Sequence, residues 1–304
     1  MKLSILTLFC SLFAASTIAQ TQTVKQAYEL DYKADSLAKA GNIKDAINSY
    51  LKSANQMPGP GFNFRDVAHL YLKNHDQKNA KTYIDKAVQY GITIDQLNAD
   101  TLVNVCLGQI NYDKDYSKLR IIYNHQIPYP DQRAEILQMH ERDQAVRGLL
   151  GRVDRKILDN IISETDSANM DELRDIIKQI GFPGFRQIGP DAASCLFNLI
   201  THGSLDGHHD ALDIAFLEPL MKGQVLAGNF PPMYFAILID RYNYLQFKTQ
   251  VYGTYWEFEP TQNAMIVRKI ADVAQVDERR AAIFLPPLYK SRSKKMILPD
   301  DYTK

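Results

Sequence analysis

A spacing of 34 residues constrains this chain more than any other feature. Gly41-Asn42 is followed by Asp45, Ala46 and Tyr50, with Pro58 beyond them. Shifted by 34 positions, Ala80 falls on Ala46, Ile84 on Tyr50 and Ala87 on Ser53. Small residues at fixed positions let paired helices approach closely, and the larger residue fills the groove between them. A unit of this size cannot bury its apolar face alone, so about three must stack. The spacing predicts antiparallel helical hairpins over residues 20–126. The third hairpin, over 95–124, is divergent, with apolar stripes at Leu97, Leu102 and Val105 and at Leu119, Ile122 and Tyr123.

The second half lacks this spacing. Ile127-Pro128-Tyr129-Pro130 interrupts it and reads as a linker. One long helical pattern then runs from 131 to about 163. Asn169 caps the next helix, with Asp171 and Glu172 in its first turn; Leu173, Ile176, Ile177 and Ile180 form its buried face, and Gly181 with Pro183 ends it. Another helix opens at Gly189-Pro190 and ends at His202-Gly203. A loop at 204–208 leads to a helix kinked at Pro219, and Pro231-Pro232 starts one that ends at Asp240-Arg241. Residues 250–258 and 264–270 are rich in aromatic and β-branched types and flank Pro260-Thr261-Gln262-Asn263, the pattern of a β-hairpin. Asp277 caps a short helix over 278–284, and 291–304 read as a polar, loosely ordered tail. The expected fold is mainly α: helical hairpins, then a mainly helical domain at 127–290 with a small β-hairpin.

At the start of the chain, Lys2 precedes an apolar run over 3–15, and Ser16-Thr17-Ile18-Ala19 follows. This is the pattern of a secretory signal, with cleavage expected after Ala19. The run is short and weakly flanked for an anchor helix, and Leu8-Phe9 before Cys10 lack the small residues of a lipoprotein site. An exported protein, periplasmic or extracellular, is therefore expected, with no stable membrane span after cleavage. The remaining cysteines, Cys106 and Cys195, lie in apolar helical runs, which favours two buried thiols over a disulfide. Lys and Arg number 35, as do Asp and Glu. That balance speaks against nucleic acid or an anionic membrane as the main partner.

The 34-residue pattern resembles tetratricopeptide repeats, two of them over about 24–94, with His75-Asp76-Gln77-Lys78 replacing the usual turn of the second. From about 143 to 289 the chain resembles a bacterial domain family of unknown function. The residues that carry this are Asp143-Gln144 with Arg147, Gly181-Phe182-Pro183, Ile188-Gly189, His202, Asp240-Arg241, Gln250 with Tyr252-Gly253-Thr254, and Val276-Asp277 with Arg279-Arg280. Phe182 stands where the family pattern has Trp, and Tyr255 where it has Gln. The resemblance implies a domain and a set of polar positions, not a mechanism.

Those positions define the candidate chemistry. Asp143 and Arg147 are four apart, acid first, and can pair along one helix face. Asp240 and Arg241 are adjacent and point to different sides of a helix, so each needs a partner elsewhere; Arg279 or Arg280 can serve Asp240. His202, His208, His209 and Asp210 lie within nine residues, but without the three- or four-residue spacing of a robust metal motif, so no metal and no cofactor is expected. A shared polar cluster of Asp143, Arg147, His202, Asp240 and Gln250 is expected, because isolated charges are not buried without partners. In it His202, Asp240 and Asp143 are the candidate catalytic groups, and Gln144, Arg147, Arg241, Gln250, Tyr252 and Arg280 the candidate binding groups. The stretch from 240 to 256 makes either a lined pocket or a hydrogen-bonded core junction.

Two functions follow. The first is an exported interaction protein whose helical repeats bind a protein or peptide. The second is a cell-envelope hydrolase with a polar pocket in residues 143–280, in which His202 is the general base or acid and the arginines hold an anionic group.

Overall fold

The computed structural model describes residues 2–57, 59, 61–203, 214–291 and 296–303. It is mainly helical with a small sheet near the C-terminus. The chain forms two compact units, Met1–Gln126 with Leu226–Asn229, and Ile127–Val225 with Phe230–Lys304.

The first unit contains α1 (Lys2–Lys39), α2 (Ile43–Gln56), α3 (Phe62–Lys73), α4 (Gln77–Gln89), α5 (Ile94–Asn98), α6 (Thr101–Ile110) and α7 (Asp113–Asn124). α1 packs on α2, α2 on α3 and α3 on α4. Gly41 turns the chain between α1 and α2 at φ +82°, a conformation that favours glycine. Ala46 is fully buried and packs with Ala34, Tyr50, Val67 and Leu70. Ala80 is also fully buried, and Ile84 and Ala87 join a second core with Ala68, Val88 and Leu97. A Cβ on Gly61 would lie 2.4 Å from the Ala87 carbonyl, so a side chain there would force α3 and α4 apart.

The third hairpin differs from its sequence reading. Asp100 caps α6 through the amides of Leu102 and Val103. The buried face of α6 is then Val103, Cys106 and Leu107, whereas Leu102 and Val105 are exposed. Ile122 on α7 is exposed as well. The expected stripe is rotated by about one residue, which a helix permits because apolar residues adjoin each other on both faces here.

The second unit contains α8 (Pro130–Arg147), α9 (Arg155–Ile180), α10 (Phe185–Ile188), α11 (Pro190–Gly203), α12 (Ile214–Leu226), α13 (Pro232–Phe247), β1 (Trp256–Glu259), β2 (Ala264–Val267), α14 (Val276–Ala281), α15 (Leu288–Ser291) and β3 (Met296–Ile297). α8, α9 and α11 pack on one another and bury Met139, Leu173, Leu196 and Ile200. A Cβ on Gly203 would lie 2.4 Å from the Met170 side chain, so glycine lets the end of α11 close against α9. Phe182, in the turn after α9, packs edge-on against Phe230 at 5.3 Å.

Several boundaries depart from the sequence reading. The long helix over 131–163 is two helices: Gly148 follows α8, Gly151 turns at φ +75°, and Asp154 starts α9 by accepting from the amides of Lys156 and Ile157. Asn169 is consequently inside α9 instead of capping a helix. α13 continues past Asp240-Arg241 to Phe247 and ends at Lys248, which is left-handed at φ +56°. The strands are shorter than expected, with Trp256 opposite Val267 and Glu259 opposite Ala264. The expected loose tail supplies β3, parallel to β2 with Met296 beside Met265. Asp277 does not cap α14; it accepts from the Leu288 amide and the Tyr302 hydroxyl, tying the tail down. Cys106 and Cys195 are free thiols; Cys106 is buried and Cys195 half-buried, and burial pushes Cys195 up to about 11.

Candidate functional site

The polar residues of the second unit fall into two sets with separate partners. The first lies where α8, α9 and α11 meet. Asp143 is fully buried, one turn after His140 on α8. Its carboxylate accepts from Arg147 one turn on, from Gln144 at 2.7 Å and from His202 Nδ1 at 3.0 Å. Arg147 also donates to both oxygens of Asp166 on α9, at 3.1 and 2.9 Å. One guanidinium thus joins two buried carboxylates. A second rung joins the same helices: His140 Nε2 meets Asn198 Nδ2 at 3.2 Å, one turn before His202.

Electrostatics assigns the tautomer. Burial alone would raise the Asp143 carboxyl, but the His202 hydrogen bond and charge, with Arg147 and Gln144, hold it below the usual carboxylate range. An ionised carboxylate only accepts, so His202 Nδ1 is the donor. In the neutral ring Nε2 is then the acceptor, and it has no protein partner among the described residues. The His202 side chain is 24% exposed and that of Arg147 20%, over carboxylates that are 0 and 2% exposed. Burial holds the His140 imidazole below its ordinary value, and His202 adds to this while Asp143 and Glu141 oppose it. The set therefore presents two imidazoles, one oriented by a buried carboxylate.

The second set surrounds the stretch from 250 to 255. Asp240, fully buried, accepts from the amides of Val251 at 2.6 Å, Tyr252 at 2.7 Å and Thr254 at 2.7 Å, and from the Thr254 hydroxyl at 2.8 Å. Gln250, also fully buried, accepts from the Tyr255 amide and donates to the carbonyls of Tyr255 and Arg268. Arg279 donates to the carbonyls of Val251 and Ala271. Arg280, 1% exposed, donates to those of Tyr252 and Pro286. Side chains thus replace the sheet ladder that this irregular segment lacks. Tyr252 packs on Phe235 at 5.9 Å, and Gly253 at φ +76° sits tight against Leu288.

The single cluster expected from the sequence is therefore divided. Asp143, Gln144, Arg147 and His202 meet; Asp240, Gln250, Tyr252 and Arg280 form a hydrogen-bonded core junction elsewhere in the unit. Asp240 takes backbone amides where Arg279 or Arg280 was the expected partner, because the 250–255 segment turns its amides to α13. Arg241 is half-buried beside Asp240 on α13. His208, His209 and Asp210 lie outside the described residues, and among those described no group of three or more His, Cys, Asp or Glu side chains could hold a metal.

Sequence reasoning misses Asp166, His140 and Asn198. A signal for Asp166 is present: Leu158, Asp166, Asn169, Leu173 and Ile177 follow one helical face, so two polar residues occupy core positions of α9. Asn169 Oδ1 accepts from Arg142.

No curated protein and no solved structure matches the chain. The family model described as "Family of unknown function (DUF6624)" matches residues 130–302, from the start of α8 to the Tyr302 anchor. That is more than half of the sequence, and the chain belongs to this family of unknown function.

Proposed function

We propose that the second unit is a hydrolase-type module in which His202 is the general base. The observation that carries this is the bond between His202 Nδ1 and the buried, ionised Asp143, with Nε2 left open on a partly exposed ring. Asp143 fixes the tautomer and stabilises the imidazolium that forms when Nε2 takes a proton from water. The same nitrogen then returns the proton to the leaving group. Arg147 keeps Asp143 in place and brings positive charge to the rim. His140, whose imidazole burial shifts toward the neutral form, is a second proton-transfer group on the same face of α8.

The first unit is read as a tetratricopeptide-like stack that binds a protein or peptide, and the chain as exported to the periplasm or the extracellular space. A cleft of about 330 Å³ in the hairpin unit, lined by Lys39, Tyr50, Asp66, His69, Lys73 and Asp100, favours that reading of the stack.

The test is hydrolysis of a panel of chromogenic esters, amides, glycosides and phosphoesters. Turnover is expected to fall ~10²–10⁴-fold in His202→Gln and in Asp143→Asn, with His202→Gln folding normally. Equal turnover by the wild type and His202→Gln on any hydrolysed substrate overturns the assignment.

A further inference from the structure

The turn between α8 and α9, with the first residues of α9, carries apolar side chains that the core of the unit leaves exposed. Residues 150–157 are exposed without interruption. Among them Leu150 is 63% exposed, Val153 39% and Ile157 57%. Between these apolar side chains stand Arg152, Arg155 and Lys156, with Asp154 as the only acid, leaving a local net charge of +2. The Asp154 carboxylate faces the amides of Lys156 and Ile157 as a helix cap. Arg155 pairs with Asp159 at 2.9 Å, but both side chains are largely in water, where such a pair holds little.

This interleaving selects the occupant. The core of a protein interface is depleted of charge, with polar residues moved to its rim. Here the cations lie between the apolar residues. Long basic side chains reach phosphate level while their neighbours enter the acyl boundary, which is how peripheral segments meet lipid. We propose that the 150–157 segment docks the protein onto an anionic phospholipid surface, Leu150 and Ile157 entering the headgroup boundary and Arg152, Arg155 and Lys156 contacting phosphates. The neutral balance of the whole chain does not oppose this, because screening confines the attraction to charges within about 10 Å of the surface. The docking goes beyond the proposed hydrolysis and stands whether or not His202 is a base. It places Arg147, three residues before Leu150, near the surface.

The experiment is flotation of the full chain with vesicles of phosphatidylcholine alone or mixed with phosphatidylglycerol. Binding to the mixed vesicles that weakens as salt rises is expected. Each basic side chain near an anionic surface contributes about fivefold, so Arg155→Gln with Lys156→Gln should bind roughly twenty-five-fold more weakly. Leu150→Asp with Ile157→Asp should abolish binding, and because these positions are exposed both variants should melt like the wild type. No binding to either vesicle, equal binding to both, or wild-type binding by either variant overturns the proposal.

Discussion

Asp240 and Arg147 are both buried-charge problems with opposite solutions. Asp240 gathers backbone amides, so its loss leaves the donors of Val251, Tyr252 and Thr254 unsatisfied in the interior. An orphaned buried donor costs ~1–3 kcal/mol, and Asp240→Ala is expected to destabilise the second unit by several kcal/mol, read as a lower urea midpoint. Burial raises the Asp240 carboxyl while its donors pull the other way. Arg147 neutralises two carboxylates at once, and Arg147→Ala removes the bidentate partner of Asp166 and leaves Asp143 with Gln144 and His202 alone, an expected cost on the order of 3–5 kcal/mol. His202→Gln removes one partner of an Asp143 that keeps Arg147 and Gln144, so its expected cost is ~1 kcal/mol or less while turnover is lost. The contrast between these two melting curves separates the residue that holds the site from the one assigned to act in it. The Asp143–Arg147 pair is visible in the sequence because both residues lie one turn apart on one helix. Asp166 is harder to read because its partner is on another helix. The partners of Asp240 leave no mark at all, since any residue supplies an amide.

At the scale of elements, the hairpins were legible because small residues recur at fixed intervals. Ala46→Phe places a ring where Ala34, Tyr50 and Val67 already touch, and an expected ~1–3 kcal/mol of overpacking should lower the melting temperature of the first unit. The α8–α9 break was not legible, because Leu149, Leu150 and Val153 continue an apolar pattern through residues whose glycines end the helix. β3 was missed for another reason: a two-residue parallel pair depends on where the chain returns, not on local composition. The junction of α1, α2 and α3 carries a pH dependence. Asp31 accepts from Asn63 at 2.9 Å. Burial pushes its carboxyl up to about 7; bonds to Ser53 and Asn63 oppose this, and the charges of Asp35 and Asp66 add to it. The unfolded value is near 3.9, so between about 4 and 7 the folded unit holds a proton that the unfolded chain releases. Stability from this group is complete at the acid end and declines as pH rises, by at most ~4 kcal/mol. Asp31→Asn should raise the melting temperature of the hairpin unit at pH 8 and leave it nearly unchanged at pH 4; the same shift at both values would show that Asp31 does not titrate there.

For the whole molecule the decisive quantity is how much of α1 the hairpin unit needs. α1 is one helix from Lys2 to Lys39, and among the described residues no helix is long and apolar enough to cross a membrane. From Ala19 onward its first buried side chain is Val24, followed by Ala27 and Ala34. The hydrogen bonds that α1 makes to the rest of the unit through Asp31 and Asp35 also lie beyond that point. Cleavage after Ala19 would leave 20 residues of helix, Gln20 to Lys39, with these contacts intact. A leader that is removed must contribute little to the fold it precedes, and the buried Val24, Ala27 and Ala34 with the bonds of Asp31 and Asp35 would all remain after such a cut. Two outcomes are expected together. Mass spectrometry of the protein recovered from the cell envelope or medium should give an N-terminus at or near Gln20. A chain beginning at Gln20 should also melt within about 2 °C of the full-length chain, a shift corresponding to about 1 kcal/mol or less for a protein of this size. Intact Met1 in a cytoplasmic fraction would reject export. A large drop in melting temperature would show that the leader is part of the hairpin core.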